Sequence, residues 1–140
     1  MLSFVVKYAG FFKRVPGLAI LFDSWLKLWM LLTRPKVLNW IGDIEDEVLT
    51  WEHTTSSIHK YGGLQINCRG REIGHIHSNG LVDILLSRNI KQQLMEEGHI
   101  QDHHLFKNSG WISFTIRTAA DKDYALYLLR RGYEQRVVNS

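Results

Sequence analysis

The sequence predicts an α+β fold, on three observations. Four strand-length segments between residues 52 and 86 are separated only by short, glycine-bearing links, and such links join antiparallel neighbours. A helix, a strand and a second helix follow, so helices gather on an antiparallel sheet of about five strands in the order β-β-β-β-α-β-α. Ahead of all of them, residues 1–36 hold an apolar, basic helical segment. The expected division is therefore an amino-terminal helical hairpin over 1–36 and a single α+β domain over 37–140, since 140 residues suffice for one core and not two.

Taken in order, Leu2 to Val15 is apolar with Lys7, Lys13 and Arg14 interspersed, and Pro16-Gly17 interrupts it. Helical spacing resumes with Leu18, Leu21, Phe22, Trp25, Leu28, Trp29 and Leu32, broadened by Ile20, Leu26 and Met30. At ~1.5 Å per residue, Gly17 to Leu32 reaches roughly 24 Å, short of the ~30 Å hydrocarbon core, and it carries charge in its middle. A membrane span and a secretory signal are both unexpected. Two readings stay open for residues 1–36: a hairpin whose apolar surface covers the sheet or a second copy in a homodimer, and a Trp-bearing helix lying in the membrane interface.

After Arg34-Pro35, Asn39 to Glu52 reads as a short amphipathic helix with Asp43, Glu45, Asp46 and Glu47 on a solvated face. Strands are expected over Glu52–His59, Leu64–Cys68, Glu72–His77 and Leu81–Leu86, punctuated by Gly62-Gly63, Arg69-Gly70 and Asn79-Gly80. Leu81 to Leu86 is apolar on both parities except at Asp83, which predicts a strand covered on both faces and a buried carboxylate. Ser87 caps a helix from Arg88 to about Glu97, and a loop with His99, Asp102, His103 and His104 follows. Trp111 to Arg117 alternates, with Trp111, Ser113, Thr115 and Arg117 on the polar side. Thr118 caps the last helix with Asp121 in its first turn, and Gly132 is expected to stop it.

Charge is unevenly spread. Residues 1–36 carry Lys7, Lys13, Arg14, Lys27, Arg34 and Lys36 against Asp23 alone, a net +5 that leaves the rest of the chain at −2. An acidic body without a basic-aromatic strand pattern argues against nucleic acid as a partner. The single cysteine, Cys68, falls on the apolar parity of its strand and reads as a buried inert thiol. One cysteine excludes an internal disulfide and a cysteine-rich zinc site, which suits a reducing cytoplasm, with residues 1–36 placed at the inner face of the membrane in the interfacial reading.

The chemistry concentrates in R-E-I-G-H-I-H-S-N-G-L-V-D, Arg71 to Asp83. Alternate strand positions put His75 and His77 on one face. A three-residue loop of Ser78, Asn79 and Gly80, with Gly80 left-handed, sets His75 opposite Asp83; a two-residue loop sends Asp83 to the other face. The three-residue form is the expected one. Two imidazoles with a further His or Asp can hold a divalent metal such as zinc with one open position. The same groups without metal form a polar pocket in which Asp83 orients a histidine that acts as acid or base on a small-molecule ligand. His104 is the candidate from the later loop, Arg117 the candidate clamp for an anion, and Trp111 the candidate wall. Glu72 reads as solvated or paired with Arg71. No nucleophile elbow, Walker loop or His-Glu-x-x-His is present.

From His59 onward the series H-K-Y-G-G, G-R-E-I-G-H-I-H-S-N-G-L-V-D-I, H-H-L-F, S-G-W-I-S-F-T-I-R and A-L-Y-L-L-R-R-G-Y-E resembles the small bacterial and fungal "luciferase domain" family, over about residues 59–134. The resemblance implies that His59, Gly63, Glu72, Gly74, His75, His77, Gly80, Asp83, His104, Gly110, Trp111, Arg117 and Tyr133 sit on the family pattern. It thereby adds His59 and Glu72 to the ligand-binding candidates. A Gly-Tyr at 132–133 stands where the family usually has Ser-Tyr. The resemblance marks a site and implies no particular reaction. The reading that competes with a ligand- or metal-binding domain is a non-enzymatic adaptor, held at a membrane or a protein partner by the amino-terminal helices.

Overall fold

A computed structural model of the chain describes residues 16–98, 100–102 and 107–138. Its elements are α1 (Pro16–Thr33), α2 (Pro35–Leu49), β1 (Thr54–Ile58), β2 (Leu64–Cys68), β3 (Arg71–Ile76), β4 (Leu81–Leu85), α3 (Arg88–Glu96), β5 (Gln101–Asp102), β6 (Trp111–Thr115) and α4 (Ala119–Val138). This is the α+β class with the expected order. The strands form one sheet, β1-β2-β3-β4-β6-β5, and every neighbouring pair is antiparallel. A sixth, two-residue strand, β5, arises in the stretch read as a loop, where Gln101 and Asp102 pair with Ser113 and Ile112 along the free edge of β6. The first half of the expected hairpin, Leu2 to Val15, lies outside the described residues.

Turn chemistry sets the register. Arg69 and Gly70 both have positive φ, 52° and 73°, and join β2 to β3 as a two-residue hairpin with Cys68 opposite Arg71. Between β3 and β4 the loop has three residues. The Gly80 amide donates to the His77 carbonyl at 2.9 Å, the His77 amide donates to the Leu81 carbonyl at 2.8 Å, and Gly80 has φ +87°. His75 therefore stands opposite Asp83, and Asp83 opposite Ser113 on β6.

One row across the sheet, Gln65–His75–Asp83–Ser113, is polar, while the adjacent row, Ile66–Gly74–Ile84–Ile112, is apolar. Because successive residues alternate between faces, the two rows look to opposite sides. The apolar side receives α4 through the buried Ala125, Leu128, Leu129 and Tyr133, and α2 adds Ile44 and Val48 to the same core. Cys68 is buried in that core, and burial pushes its thiol pKa up, as an inert thiol requires.

Both expected helix caps are present. Ser87 Oγ accepts the Ile90 amide at 3.3 Å, and Thr118 and Asp121 exchange side chain-to-backbone bonds in a reciprocal cap. Gly132, however, does not end α4, which runs on to Val138. Its place is in the helix interior, where a Cβ would sit 3.4 Å from both Ile84 Cγ2 and the Leu85 carbonyl oxygen. Glycine there lets the helix lie close on β4, which is a packing role and not a stop signal.

The face that α1 turns inward also differs from the expected one. Ala19, Asp23 and Met30 are buried, whereas Leu18, Leu21, Trp25, Leu28, Trp29 and Leu32 are exposed. The reading in which that stripe covers the sheet therefore fails for the described residues. Asp23 explains the rotation: its Oδ1 accepts from Ser78 Oγ at 2.7 Å and its Oδ2 lies 3.2 Å from Lys27 Nζ. Its β-carbon packs against Gly62, where a side chain would clash.

Gly74 and Gly42 provide opposite tests of this packing. A Cβ at Gly74 would lie 2.7 Å from the Asp83 carbonyl oxygen, pushing β3 from β4. Gly74→Ala is expected to destabilise by about 1–3 kcal/mol in urea titrations. Gly42 lies within α2 with nothing within 4 Å of a Cβ. Gly42→Ala is expected to stabilise by about 0.5–1 kcal/mol. Equal midpoints for the two variants would refute this account of the sheet.

Candidate functional site

Strand β3 and the residue that follows it deliver two imidazoles to one carboxylate. His75 comes from β3, and His77, two residues on, shares its face just before the Ser78–Gly80 loop. Asp83 lies on the central strand β4, between β3 and β6, with 1% of its surface exposed. His75 Nε2 is 3.2 Å and His77 Nε2 3.3 Å from the same oxygen, Asp83 Oδ2. The other oxygen, Oδ1, accepts from Ser113 Oγ at 2.5 Å. The two rings are nearly perpendicular, 84° apart with centroids at 5.0 Å.

Glu72 joins them through an irregularity. Between Ile66 and Asn67 the partner on β3 jumps from Gly74 to Glu72, so Ile73 is an extra residue. Such a bulge breaks the alternation. Ile73 turns into the core, and Glu72, three residues from His75, reaches its face: Glu72 Oε1 is 2.6 Å from His75 Nδ1. The reading of Glu72 as solvated or paired with Arg71 is thus replaced by a half-buried pair with His75.

His59, at the end of β1, is buried and stacks on His75 with centroids 4.1 Å apart and planes 13° apart. The Tyr61 backbone amide donates to its Nδ1 at 3.3 Å. An amide can only donate, so Nδ1 carries a lone pair and the neutral ring holds its proton on Nε2, facing Glu72 at 3.9 Å. Trp111 walls the cluster on the other side, its ring 5.6 Å from that of His75.

The electrostatics follow from these contacts. Burial alone would lower the pKa of His75, but hydrogen bonds to Asp83 and Glu72 reverse this and raise it from 6.5 to about 9. In the metal-free protein both nitrogens then donate, and the ring is an imidazolium. His59 goes the other way, down to about 4, first through burial and then through the charge of His75. Burial would raise the pKa of Asp83, yet the bonds from His75, His77 and Ser113 hold it well below the usual carboxylate range. Burial would raise the pKa of Glu72, but the His75 hydrogen bond together with the charges of His75, His59 and Lys60 outweighs it, and the pKa is lowered.

Two groups of three could hold a metal ion, His59–Glu72–His75 and His75–His77–Asp83. Geometry separates them. Ligands at ~2.0–2.1 Å around a tetrahedral ion stand ~3.3–3.4 Å apart. The Asp83 contacts have that spacing, whereas Glu72–His75 at 2.6 Å is a hydrogen bond.

Of the other candidates, Arg117 is exposed beyond the end of β6, where its backbone amide donates to Asp121 Oδ2 at 2.9 Å; it does not join the cluster. His104 lies outside the described residues. Ser113, on the polar side of its strand by alternation, is a partner of Asp83 that alternation alone does not indicate. The row that register creates would have found it. For Glu72 the available signal is Gly74, since a glycine inside a strand often marks a bulge. Spacing along the sequence points to His59 in no way, because it arrives from a loop.

Residues 70–132 match the family model described as Luciferase domain, the family that the motifs resemble. His59 and the two amino-terminal helices lie outside the matched stretch. No curated protein and no solved structure matches the chain.

In chelator-treated protein the two perturbed histidines have opposite signs. His75 holds its proton more tightly folded than unfolded, so its stabilisation is complete below about pH 6.5 and is lost as pH rises through about 9. Folded His59 resists protonation, so stability falls as pH drops from 6.5 towards 4. Urea midpoints against pH should flatten at the alkaline end in His75→Asn and at the acid end in His59→Asn. Curves parallel to the unsubstituted protein's would contradict both assignments.

Proposed function

We propose that the luciferase-domain segment, residues 70–132, builds a divalent-metal site that binds a small ligand. His75 Nε2, His77 Nε2 and Asp83 Oδ2 are its protein ligands, and zinc is the ion such a nitrogen-rich set suits. One observation carries the reading: two imidazole nitrogens stand 3.2 and 3.3 Å from a single carboxylate oxygen. Charge-assisted N–H···O bonds close to about 2.7–2.9 Å. In this same cluster the His75–Glu72 pair closes to 2.6 Å, so the longer spacing at Asp83 is not a general looseness.

The surrounding groups suit the same purpose. Glu72 accepts from the far nitrogen of His75, the arrangement that fixes the tautomer of a metal-bound histidine, and Ser113 holds the second oxygen of Asp83. Three protein ligands leave a fourth position, which an exchangeable small molecule or His104 would complete. Trp111 and His59 pack against the ring of His75.

A metal-free pocket is the second reading, favoured by the carboxylates that face both nitrogens of His75. In it, the His75 imidazolium and Asp83 would bind a polar ligand directly. The cost of removing the His75 proton at pH 7 is about 3 kcal/mol, small beside the roughly 10–16 kcal/mol that structural zinc sites supply.

Elemental analysis of protein purified without a histidine tag separates the two. About one equivalent of metal per chain is expected, with almost none in His75→Ala plus His77→Ala, and affinity about 10–100-fold weaker in Glu72→Gln. Equal metal content in the parent and the double variant would remove the metal and leave the polar pocket.

A further inference from the structure

The outward face of α1 is large, apolar and held in place from behind. Leu18, Leu21, Trp25, Leu28, Trp29 and Leu32 are 41–74% exposed, and Trp25 and Trp29 stack with centroids 6.2 Å apart. Single exposed apolar residues are ordinary, but a continuous stripe along an 18-residue helix is not. Rolling the helix to hide the stripe would break the Asp23–Ser78 bond and expose Ala19 and Met30, so the fold presents this face to the outside.

Charge selects what meets it. Residues 1–36 carry a net +5 while the rest of the chain carries −2. Exposed Arg34 and Lys36 follow the end of α1 directly, and Lys27 borders the buried side. A second copy laid on the stripe offers no exposed acidic residue of α1 to neutralise Arg34 and Lys36. Anionic headgroups would neutralise the same charge while the acyl boundary takes up the tryptophans and leucines. Among the described residues no helix is long and apolar enough to cross a membrane.

We propose that α1 is an interfacial anchor that lies flat on an anionic lipid surface, its Leu18–Leu32 stripe inserted and its Asp23 side fixed to the domain. This is independent of the metal reading: the stripe is formed by α1 alone and includes none of the candidate ligands.

The test is flotation of the full chain with vesicles of phosphatidylcholine alone or with about 30 mol% phosphatidylserine. Binding to the anionic vesicles is expected, with a blue shift of tryptophan fluorescence, and at least about tenfold weaker binding without phosphatidylserine or in ~0.5 M salt. Leu21→Ser with Trp25→Ser and Leu28→Ser should lose binding by about tenfold or more while keeping the parent's thermal unfolding, because all three side chains are exposed. Failure of the unsubstituted chain to float with anionic vesicles would overturn the proposal. So would a concentration-dependent dimer, lost in the triple variant, that forms without any vesicle binding; the stripe would then be a self-association surface.

Discussion

A buried carboxylate at the centre of the sheet governs this molecule. Asp83 occupies β4, a strand with neighbours on both sides, whose other residues are all apolar. An ionised acid there is tolerated only if its lone pairs are occupied by donors. In the metal-free protein Ser113 supplies one from β6, and His75 on β3 and His77 just beyond it supply two. Each donor is delivered by register, so the tight turns on either side of β3 are part of the site's chemistry. A one-residue slip would place the carboxylate in the core and the imidazoles on the wrong surface.

This requirement divides the sheet into two unlike faces. On one, the row that contains His75, Asp83 and Ser113 is polar and walled by Trp111 and His59. On the other, Ile66, Ile84 and Ile112 meet α4, and the glycines at 74 and 132 let helix and sheet approach closely. The bulge at Ile73 serves both faces at once: it turns an isoleucine into the core and swings Glu72 onto the polar side to hold His75.

The same economy appears at α1. Its one acidic residue, Asp23, faces inward, because Ser78 and Lys27 can satisfy a carboxylate, while the apolar stripe is left for whatever lies outside the domain. Ser78 adjoins His77, and Gly62 lies three residues beyond His59. The helix is thus fastened to the two turns that adjoin His59 and His77.

The sequence by itself determined the fold class and the order of the elements, and it favoured the loop that pairs His75 with Asp83. These rest on local chemistry: alternation, caps, and a left-handed glycine that closes a three-residue loop. It also marked Asp83 as buried, since an acid in a doubly apolar strand has nowhere else to go. What it left open is whatever depends on contacts distant in the chain. Only the tertiary structure decided that Glu72 belongs with His75, because a bulge cancels the alternation that sequence reading assumes. It alone brought His59 onto the ring of His75 and kept Arg117 away, carried Gly132 through a helix interior, and chose the inward face of α1. In that last case the inward face is held by Asp23, through the bond from Ser78, 55 positions along the chain, and through its packing on Gly62.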